Sequence, residues 1–356
     1  MTAGAGRAPL LIEQVAVELR ELPPEPRFRW RAGLPGSEGP AVGGILRICS
    51  SDGAVGLAPT RRGAQLAELV ERRLRDELVG QDAWQRELLW HRLWELDRRE
   101  QIPSHLFGLV DVALWDLAGK VLDAPVHRLL GAFRDAIAAC ASTVTYDTDE
   151  EYLSVATQAV EAGYRAVKVH GRGDARLDAA LCARLRSRLG DGVPLMYDAS
   201  GAFDLPDAAY LGAALADLGF VWLEEPMREH SVTAYRLLAE RVRVPLLVGE
   251  TSAGAHLNIA DFLAARCASY VRTGATLKGG VTGAMRIAHL AQSYLVRAEV
   301  HQSGPVSRHL CMAIPNTTYY ESRVIGPAIE REPGVGPDGL VRAPSLPGFG
   351  FEEFLD

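Results

Sequence analysis

The hydrophobic and polar positions of this chain change their pattern near residue 130. Between residues 11 and 60, apolar and polar residues alternate in stretches such as VAVELREL and GGILRICSSDGAVGLAPT. This period of two predicts antiparallel strands, with turns at Pro23-Pro24 and Asp52-Gly53. The intervening stretch PPEPRFRWRAGLPGSEGPA is rich in proline, glycine and arginine, and it predicts an exposed, mobile loop.

Two helical stretches follow in the same part of the chain. One is the amphipathic AQLAELVERRLRDELVG, and the other is the largely apolar LFGLVDVALWDLAGKVL. Because the second stretch is apolar on most sides, we expect it to be buried between two domains. Its Asp116 and Lys120 have the spacing of an i,i+4 ion pair, so we interpret them as structural.

After residue 130, short apolar runs alternate with helical stretches such as EEYLSVATQAVEAG, which Gly163 caps. Eight such alternations predict a parallel (β/α) barrel of the TIM type. We expect an α+β capping domain at 1–130, the barrel at 131–325, and a C-terminal segment at 326–356 that returns to the cap. The predicted barrel strands are 137–145, 165–170, 195–198, 220–224, 246–250, 269–273, 297–301 and 317–321.

The composition is that of a large soluble enzyme. The chain has 356 residues, of which 48% are hydrophobic and 23% charged, so it can bury an ample core. The net charge of −7 argues against a nucleic-acid or anionic-membrane partner, and no apolar run reaches membrane-spanning length. Five cysteines without a CxxC pair, and a start without a signal sequence, predict reduced thiols in a cytoplasmic protein.

Three carboxylates stand at equal intervals, each where a short apolar run ends. They are Asp198 in LMYDAS, Glu224 in FVWLEEP and Glu250 in PLLVGET, 26 residues apart in both cases. This interval places them at the C-terminal ends of consecutive barrel strands, where such barrels carry their chemistry. Three converging anions repel each other unless a hard cation lies between them, so the spacing predicts a Mg²⁺ site.

Other predicted barrel strands also end in ionisable groups. Lys168 and His170 lie two apart in YRAVKVHGRGD, so both side chains point to the same face of the second strand. His301 ends the seventh strand and Glu321 the eighth. Every strand from the second to the eighth except the sixth therefore ends in an ionisable group, and these four residues are the candidate catalytic groups.

These residues and their contexts resemble the enolase superfamily, and within it the mandelate racemase-like branch. ALWDLAGKVLDAPVHRLLG is similar to the segment that joins the cap to the barrel, KVH stands at the place of a K-x-K strand, and LKGGVTGAMRIAHLA resembles the sixth strand–helix junction. The resemblance implies that Asp198, Glu224 and Glu250 bind one Mg²⁺. It also implies removal of the proton next to a substrate carboxylate, giving an enediolate that the metal stabilises.

The sequence departs from that pattern at three positions. His170 replaces a second lysine base, Ser200 replaces an asparagine, and Gly274 replaces the aspartate that hydrogen-bonds the catalytic histidine. Without that aspartate, His301 lacks the group that would fix its tautomer. We therefore expect His170 to be the base and Lys168 to bind the substrate carboxylate. Lys278, just before the glycines, is a further basic candidate, but we expect it to be an exposed loop residue.

The sequence leaves three hypotheses open. The first is an acid-sugar dehydratase, with the arginine-rich loop at 25–37 forming part of the pocket and closing over it. The second is a racemase or epimerase of a 2-hydroxy acid or amino-acid derivative. The third is a metal-binding relative without catalysis. In each case the expected partner is a small carboxylate-bearing molecule, and the chain is expected to form a homo-oligomer.

Overall fold

The computed structural model describes residues 8–23, 26–37, 42–326 and 328–354. Its strands are β1 (Ile12–Glu21), β2 (Val42–Ser50), β3 (Val55–Thr60), β4 (Ala136–Ser142), β5 (Ala166–His170), β6 (Leu195–Asp198), β7 (Leu223–Glu224), β8 (Leu246–Val248), β9 (Tyr270–Thr273), β10 (Arg297–Val300), β11 (Tyr319–Arg323) and β12 (Leu340–Arg342). Its α-helices are α1 (Gly63–Leu69), α2 (Arg75–Leu78), α3 (Arg86–Glu100), α4 (Ser104–Val121), α5 (Val126–Leu129), α6 (Asp149–Glu161), α7 (Ala175–Leu189), α8 (Leu205–Asp217), α9 (Val232–Ala239), α10 (Ala255–Ala264), α11 (Gly280–Ser293) and α12 (Pro305–Ala313).

The N-terminal strands form the predicted antiparallel sheet, in the order β1-β2-β3. The Asp52-Gly53 turn joins β2 to β3, and the Gly53 N–H donates to the Ser50 carbonyl at 2.9 Å. The other predicted turn, Pro23-Pro24, includes Pro24, which lies outside the described residues.

Eight parallel strands, β4 to β11, form the barrel in the order β10-β9-β8-β7-β6-β5-β4-β11. All eight strands predicted from the sequence are present, β6 with the predicted bounds and the other seven with shifted ends. The two outer strands meet where the Ala298 N–H donates to the Asn316 carbonyl at 2.9 Å, and where Thr318 donates through N–H and Oγ1 to the Glu299 carboxylate. The prediction of an α/β barrel behind an N-terminal cap is confirmed.

Side chains inside the barrel are arranged in layers because successive strand residues point to opposite faces. A closed apolar cluster fills the lower part of the interior, and it consists of Cys140, Ala166, Met196, Trp222 and Leu247, packed against Val221, Tyr270 and Tyr319. Two residues further along six of these strands lie polar side chains, at positions 142, 168, 198, 224, 272 and 321. The apolar layer therefore forms the floor on which the polar groups stand.

Helix α4 is the element that joins the parts of the molecule. The buried Asp116 accepts hydrogen bonds from the Leu57 N–H in the cap and the Phe349 N–H in the C-terminal segment, and it pairs with Lys120 at 2.7 Å, as predicted. Asp111 accepts from the N–H and Oγ1 of Thr282 in α11. The C-terminal segment thus contacts the cap-to-barrel helix, and the domain limits 1–130, 131–325 and 326–356 stay a prediction.

A close approach makes one glycine necessary at this junction. Gly280 begins α11 with φ +85°, and a side chain there would start 2.4 Å from the Asp111 carboxylate. Only glycine tolerates both the backbone angle and the contact.

The five cysteines are free thiols, with Cys49 half-buried and the others buried. Among the described residues, no helix combines the length and the apolar character that crossing a bilayer requires.

Candidate active site

The predicted metal ligands stand side by side at the C-terminal ends of neighbouring strands. His170, Asp198 and Glu224 are direct register partners across β5, β6 and β7. Glu250 follows β8 by two residues. One oxygen from each of the three carboxylates lies within 4.8 Å of the other two. The register of a parallel sheet therefore turns an equal sequence interval into one cluster.

Two of these carboxylates are held firmly by neighbouring side chains. Asp198 accepts hydrogen bonds from Lys168 Nζ at 3.0 Å and from the Ser200 N–H at 2.9 Å, and its Oδ2 lies 3.1 Å from His170 Nε2. The neighbours of Asp198 determine its charge as well as its position. Burial would raise the pKa of Asp198, but Lys168 and His170 lower it well below its usual value.

Glu224 is bound by a residue that the sequence interpretation missed. Arg272 in β9 donates to both of its oxygens, through Nε and through Nη2 at 2.8 Å, and Lys168 donates to it at 3.1 Å. Arg272 is buried, and its Nη2 also lies 3.0 Å from Glu321 Oε2. The sixth barrel strand thus supplies a cation to the site. Its signal in the sequence was a charged residue two positions after Tyr270 in an otherwise buried strand.

Lys168 and Glu321 complete this charged layer. Burial alone would lower the pKa of Lys168, but Glu224 and Glu321 raise it well above its usual value. Conversely, Arg272 and Lys168 overcome the effect of burial on Glu321 and hold its pKa below the usual range. Lys168 is therefore an ammonium ion and Glu321 a carboxylate, 2.9 Å apart. A protonated lysine can bind an anion but cannot act as a base.

Glu250 differs from the other two carboxylates. Its Oε1 lies 3.3 Å from His301 Nε2, while its buried Oε2 has no hydrogen-bond partner among the described residues. Burial raises the pKa of Glu250 well above its usual value, and the charges of Glu224, Glu225 and Asp198 add to the shift. An unpartnered buried oxygen beside two other carboxylates is a site that a hard divalent cation satisfies.

The charged groups around the cluster also agree with a site for a divalent cation. Around the cluster, the described residues include six buried or half-buried carboxyl groups and three buried cations. Burial and the charges of Glu229 and Asp198 raise the pKa of Glu225 to about 8, so this group is mainly protonated near pH 7, and the pKa values of Glu229 and Glu250 are raised as well. The carboxyl groups are Asp198, Glu224, Glu225, Glu229, Glu250 and Glu321, and the cations are Lys168, Arg272 and Lys278.

Lys278 lies elsewhere than predicted. The sequence interpretation placed it in an exposed loop, which is wrong, because the residue is only 2% exposed. Its Nζ donates to the Ser252 carbonyl at 2.9 Å. Burial lowers its pKa to about 8, against the opposing effect of Glu229. The loop after β9 folds inward here and does not extend into solvent.

His170 lies between the carboxylate cluster and the arginine-rich loop. Its ring packs against Trp30, with centroids 4.6 Å apart, and its buried Nδ1 has no hydrogen-bond partner among the described residues. The loop is held over this edge of the barrel by Arg31 Nε, which donates to the Ser200 carbonyl at 3.2 Å, and by the Arg29 carbonyl, which accepts from Thr145 N–H at 2.9 Å. Residues 26–37, here called the lid loop, therefore lie beside the candidate base.

His301 stands at the other end of the carboxylate arc, next to Glu250. Gly274 faces its backbone, and a side chain there would start 3.2 Å from the His301 carbonyl oxygen. Position 274, where the family pattern has an aspartate, is thus adjacent to His301, as the family resemblance implied. Burial lowers the pKa of His301 to about 3, with Glu321 opposing the shift, so the imidazole is neutral in the metal-free protein.

The site opens into a cavity of about 480 Å³. Its walls contain both candidate bases, the outer carboxylates Asp198 and Glu250, and several basic or apolar side chains from the cap and the barrel loops. The latter are Trp30, Leu34, Arg61, Arg228, Leu277 and Arg323. The cavity therefore combines an acidic floor with basic walls, which suits a small anionic and hydroxylated molecule.

The lid loop offers a test of its own. We expect binding of Mg²⁺ and substrate to slow tryptic cleavage after Arg27, Arg29 and Arg31, because a closed lid excludes water and protease from the cavity. Cleavage after Arg243, which is 80% exposed, is expected to stay constant. Mass spectrometry of timed digests measures both rates. Equal cleavage of the lid loop with and without ligands would show that it does not close.

Comparisons with known proteins agree on one family. The family model described as mandelate racemase / muconate lactonizing enzyme, N-terminal domain, matches residues 37–131, and the model described as enolase C-terminal domain-like matches residues 151–353. The chain is 32% identical over 322 residues to a 3,6-anhydro-alpha-L-galactonate cycloisomerase of Streptomyces coelicolor, covering 86% of this chain and 87% of that protein.

Two crystal structures that contain magnesium resemble the fold over nearly its whole length. D-glucarate dehydratase from Agrobacterium tumefaciens complexed with magnesium has a TM-score of 0.88 and 29% identity, with 96% of both chains covered. A racemase from Streptomyces coelicolor with bound magnesium has a TM-score of 0.84 and 28% identity, with 96% of this chain and 98% of that chain covered.

Proposed function

The chain belongs to the mandelate racemase / muconate lactonizing enzyme family of the enolase superfamily, and from this premise we propose that it is a Mg²⁺-dependent acid-sugar dehydratase. The observation that carries the proposal is the placement of two histidines at opposite ends of one carboxylate arc. His170 lies 3.1 Å from Asp198, and His301 lies 3.3 Å from Glu250. A dehydration needs a base for the α-proton and an acid for the leaving hydroxyl, and this arrangement supplies one candidate for each.

Asp198, Glu224 and Glu250 would hold the Mg²⁺, whose contribution when bound is to stabilise the negative charge that develops on the substrate carboxylate. Lys168, kept protonated by its acidic neighbours, donates hydrogen bonds to Asp198 and Glu224 and so adds positive charge to the ligand cluster, although it does not line the cavity itself. The similar proteins include a cycloisomerase, a D-glucarate dehydratase and a racemase, and an enzyme of this family is accordingly a lyase or an isomerase.

The proposed reaction assigns one proton to each histidine. His170 accepts the proton next to the carboxylate, and His301 donates a proton to the departing β-hydroxyl, so that water leaves. Because the pKa of His301 is about 3 in the metal-free protein, the donor role requires that its imidazole gains a proton in the substrate complex, next to Glu250. The enol that remains rearranges to a 2-keto acid. The basic walls of the cavity, Arg61, Arg228 and Arg323, face the polar remainder of the substrate. The lid loop excludes water while the proton moves.

Incubating the Mg²⁺-loaded protein with a panel of acid sugars tests this proposal. We expect keto-acid formation from at least one of them, measured with semicarbazide or phenylhydrazine, and none after chelation of the metal. Keto acid formed equally well without metal would contradict the proposal.

The same geometry favours one alternative. Because the two histidines flank the cluster from opposite sides, a racemase or epimerase could use one for each face of the substrate. In that case recovered substrate would carry solvent deuterium at the α-carbon, and no keto acid would form. Tight Mg²⁺ binding without turnover or exchange across the panel would indicate a metal-binding protein without catalysis.

A further inference from the structure

The loop that carries Glu250 is held in place by residues outside the loop. Asp198 and Glu224 are held by hydrogen bonds to their own carboxylates, whereas Glu250 Oε2 has no such partner among the described residues. Apart from the contact of its Oε1 with His301, the position of Glu250 therefore depends on its backbone. That backbone leaves β8 through Gly249, whose φ is +95°. Glycine adopts positive and negative φ about equally readily, so Gly249 alone does not fix the path of the loop.

Glu229 holds this loop from the side of β7. Its buried carboxylate accepts hydrogen bonds from three backbone N–H groups, those of Gly249, Thr251 at 2.8 Å and Ser252 at 3.1 Å. These groups lie immediately before and after Glu250. Three charge-assisted hydrogen bonds to one carboxylate fix the course of a loop more tightly than neutral bonds do.

Lys278 holds the same loop from the side of β9. Its Nζ donates to the Ser252 carbonyl at 2.9 Å and lies 3.4 Å from the Ser252 hydroxyl. Among the described residues it forms no ion pair, although it is almost fully buried. An isolated buried ammonium is costly unless a nearby charge compensates it, and Glu229 on the far side of the loop is the first such charge.

We propose that Glu229 and Lys278 form a two-sided clamp on residues 249–252 that fixes Glu250 as a metal ligand. Both are positioning residues, since they act through the loop and do not face the substrate cavity. The inference rests on the proposed function, because it assigns the clamp to the Mg²⁺ site. Neither residue was recognised from the sequence as part of that site.

The metal affinity of two variants tests the clamp. We expect Glu229→Gln and Lys278→Met each to raise the Mg²⁺ dissociation constant about tenfold or more, the usual effect of removing a group that orients a metal ligand. The double variant should lose less than the product of the two single effects, because both act on one loop. Lys278→Arg, which keeps a donor for the Ser252 carbonyl, should restore most of the affinity lost in Lys278→Met.

Asp178 provides a matched control. Its carboxylate likewise accepts three backbone N–H bonds, from residues 172, 173 and 174, but it fastens the loop after β5, which carries no metal ligand. Asp178→Asn should lower the melting temperature and leave Mg²⁺ affinity within about twofold of the wild type. Titration calorimetry gives the affinities, and a wild type that binds Mg²⁺ while both clamp variants bind it equally well would overturn the clamp.

Hydrogen exchange of the metal-free protein separates this inference from the proposed function. Glu229→Gln and Lys278→Met should each accelerate amide exchange at residues 249, 251 and 252, whether or not the wild type binds Mg²⁺. If the wild type does not bind Mg²⁺, the proposed function fails while faster exchange still supports the clamp. Unchanged exchange in both variants would overturn the clamp. If one variant does not fold, the measurement on the other variant decides.

Discussion

Replacing Glu250 by glutamine is expected to remove most Mg²⁺ binding and to make the metal-free protein more stable near neutral pH. The first effect follows from the loss of one of three anionic ligands, for which we expect a fall in affinity of about 100-fold or more. The second follows from the raised pKa of Glu250, since burial and its acidic neighbours disfavour the ionised form. Glutamine has a similar shape and carries no charge.

The pH dependence of this second effect has a definite sign. A carboxyl group whose pKa is raised by folding contributes its stability below its unfolded pKa and loses it as the pH rises through the folded pKa. The advantage of the Glu250→Gln variant should therefore be absent near pH 4, where the wild-type group is protonated in both states, and should grow as the pH rises. Thermal unfolding in EDTA across this range measures it.

Glu224→Gln is the informative comparison. From the sequence alone, this variant is expected to keep the fold and bind Mg²⁺ less well. The structure adds that Arg272 and Lys168 would each lose one buried partner but keep Glu321. We therefore expect a cost below the about 3–5 kcal/mol of leaving a buried charge unpaired. Glu224→Gln should thus lower both metal affinity and melting temperature. Mg²⁺ at 100 times its dissociation constant should stabilise the wild type by about 2.7 kcal/mol. Unchanged Mg²⁺ affinity in both variants would contradict the three-carboxylate site.

The sequence allowed the barrel and the carboxylate cluster to be predicted for one physical reason. Parallel strands in register bring their C-terminal ends to one edge, so an equal interval between Asp198, Glu224 and Glu250 becomes proximity in space. The same reasoning placed Lys168 and His170 on one face of β5. Those predictions needed only the period of a strand and the length of a βα unit.

Arg272 and the clamp could not be predicted in this way. Arg272 reaches Glu224 from two strands away, and a single strand of four residues does not reveal which of its faces is the barrel interior. Lys278 precedes two glycines, a context typical of exposed loops, and only the path of the backbone shows that its side chain turns inward. Glu229 acts on main-chain groups, and main-chain partners leave no mark in a sequence.

The roles of the two histidines can be separated by isotope exchange. We expect His170→Asn to abolish exchange of the substrate α-proton with solvent, because His170 is the proposed base and general-base catalysis contributes about 10²–10⁴-fold. His301→Asn should spare that exchange and block product formation, since His301 is the proposed donor to the leaving hydroxyl. His289→Asn, at an exposed position on α11, should leave both unchanged.

Proton NMR in D₂O follows exchange, and keto-acid formation follows product, so one sample gives both rates for each variant. The assignment depends on Gly274, which leaves His301 without a carboxylate at the position adjacent to its backbone. Burial lowers the pKa of His301 to about 3 although Glu321 opposes the shift, so His301 is a weak base in the metal-free protein. If His301→Asn stopped exchange and His170→Asn left it intact, the roles would be reversed. An aspartate at position 274 would then be dispensable for a histidine base in this barrel, and the neutral imidazole beside Glu250 would have to accept the proton unaided.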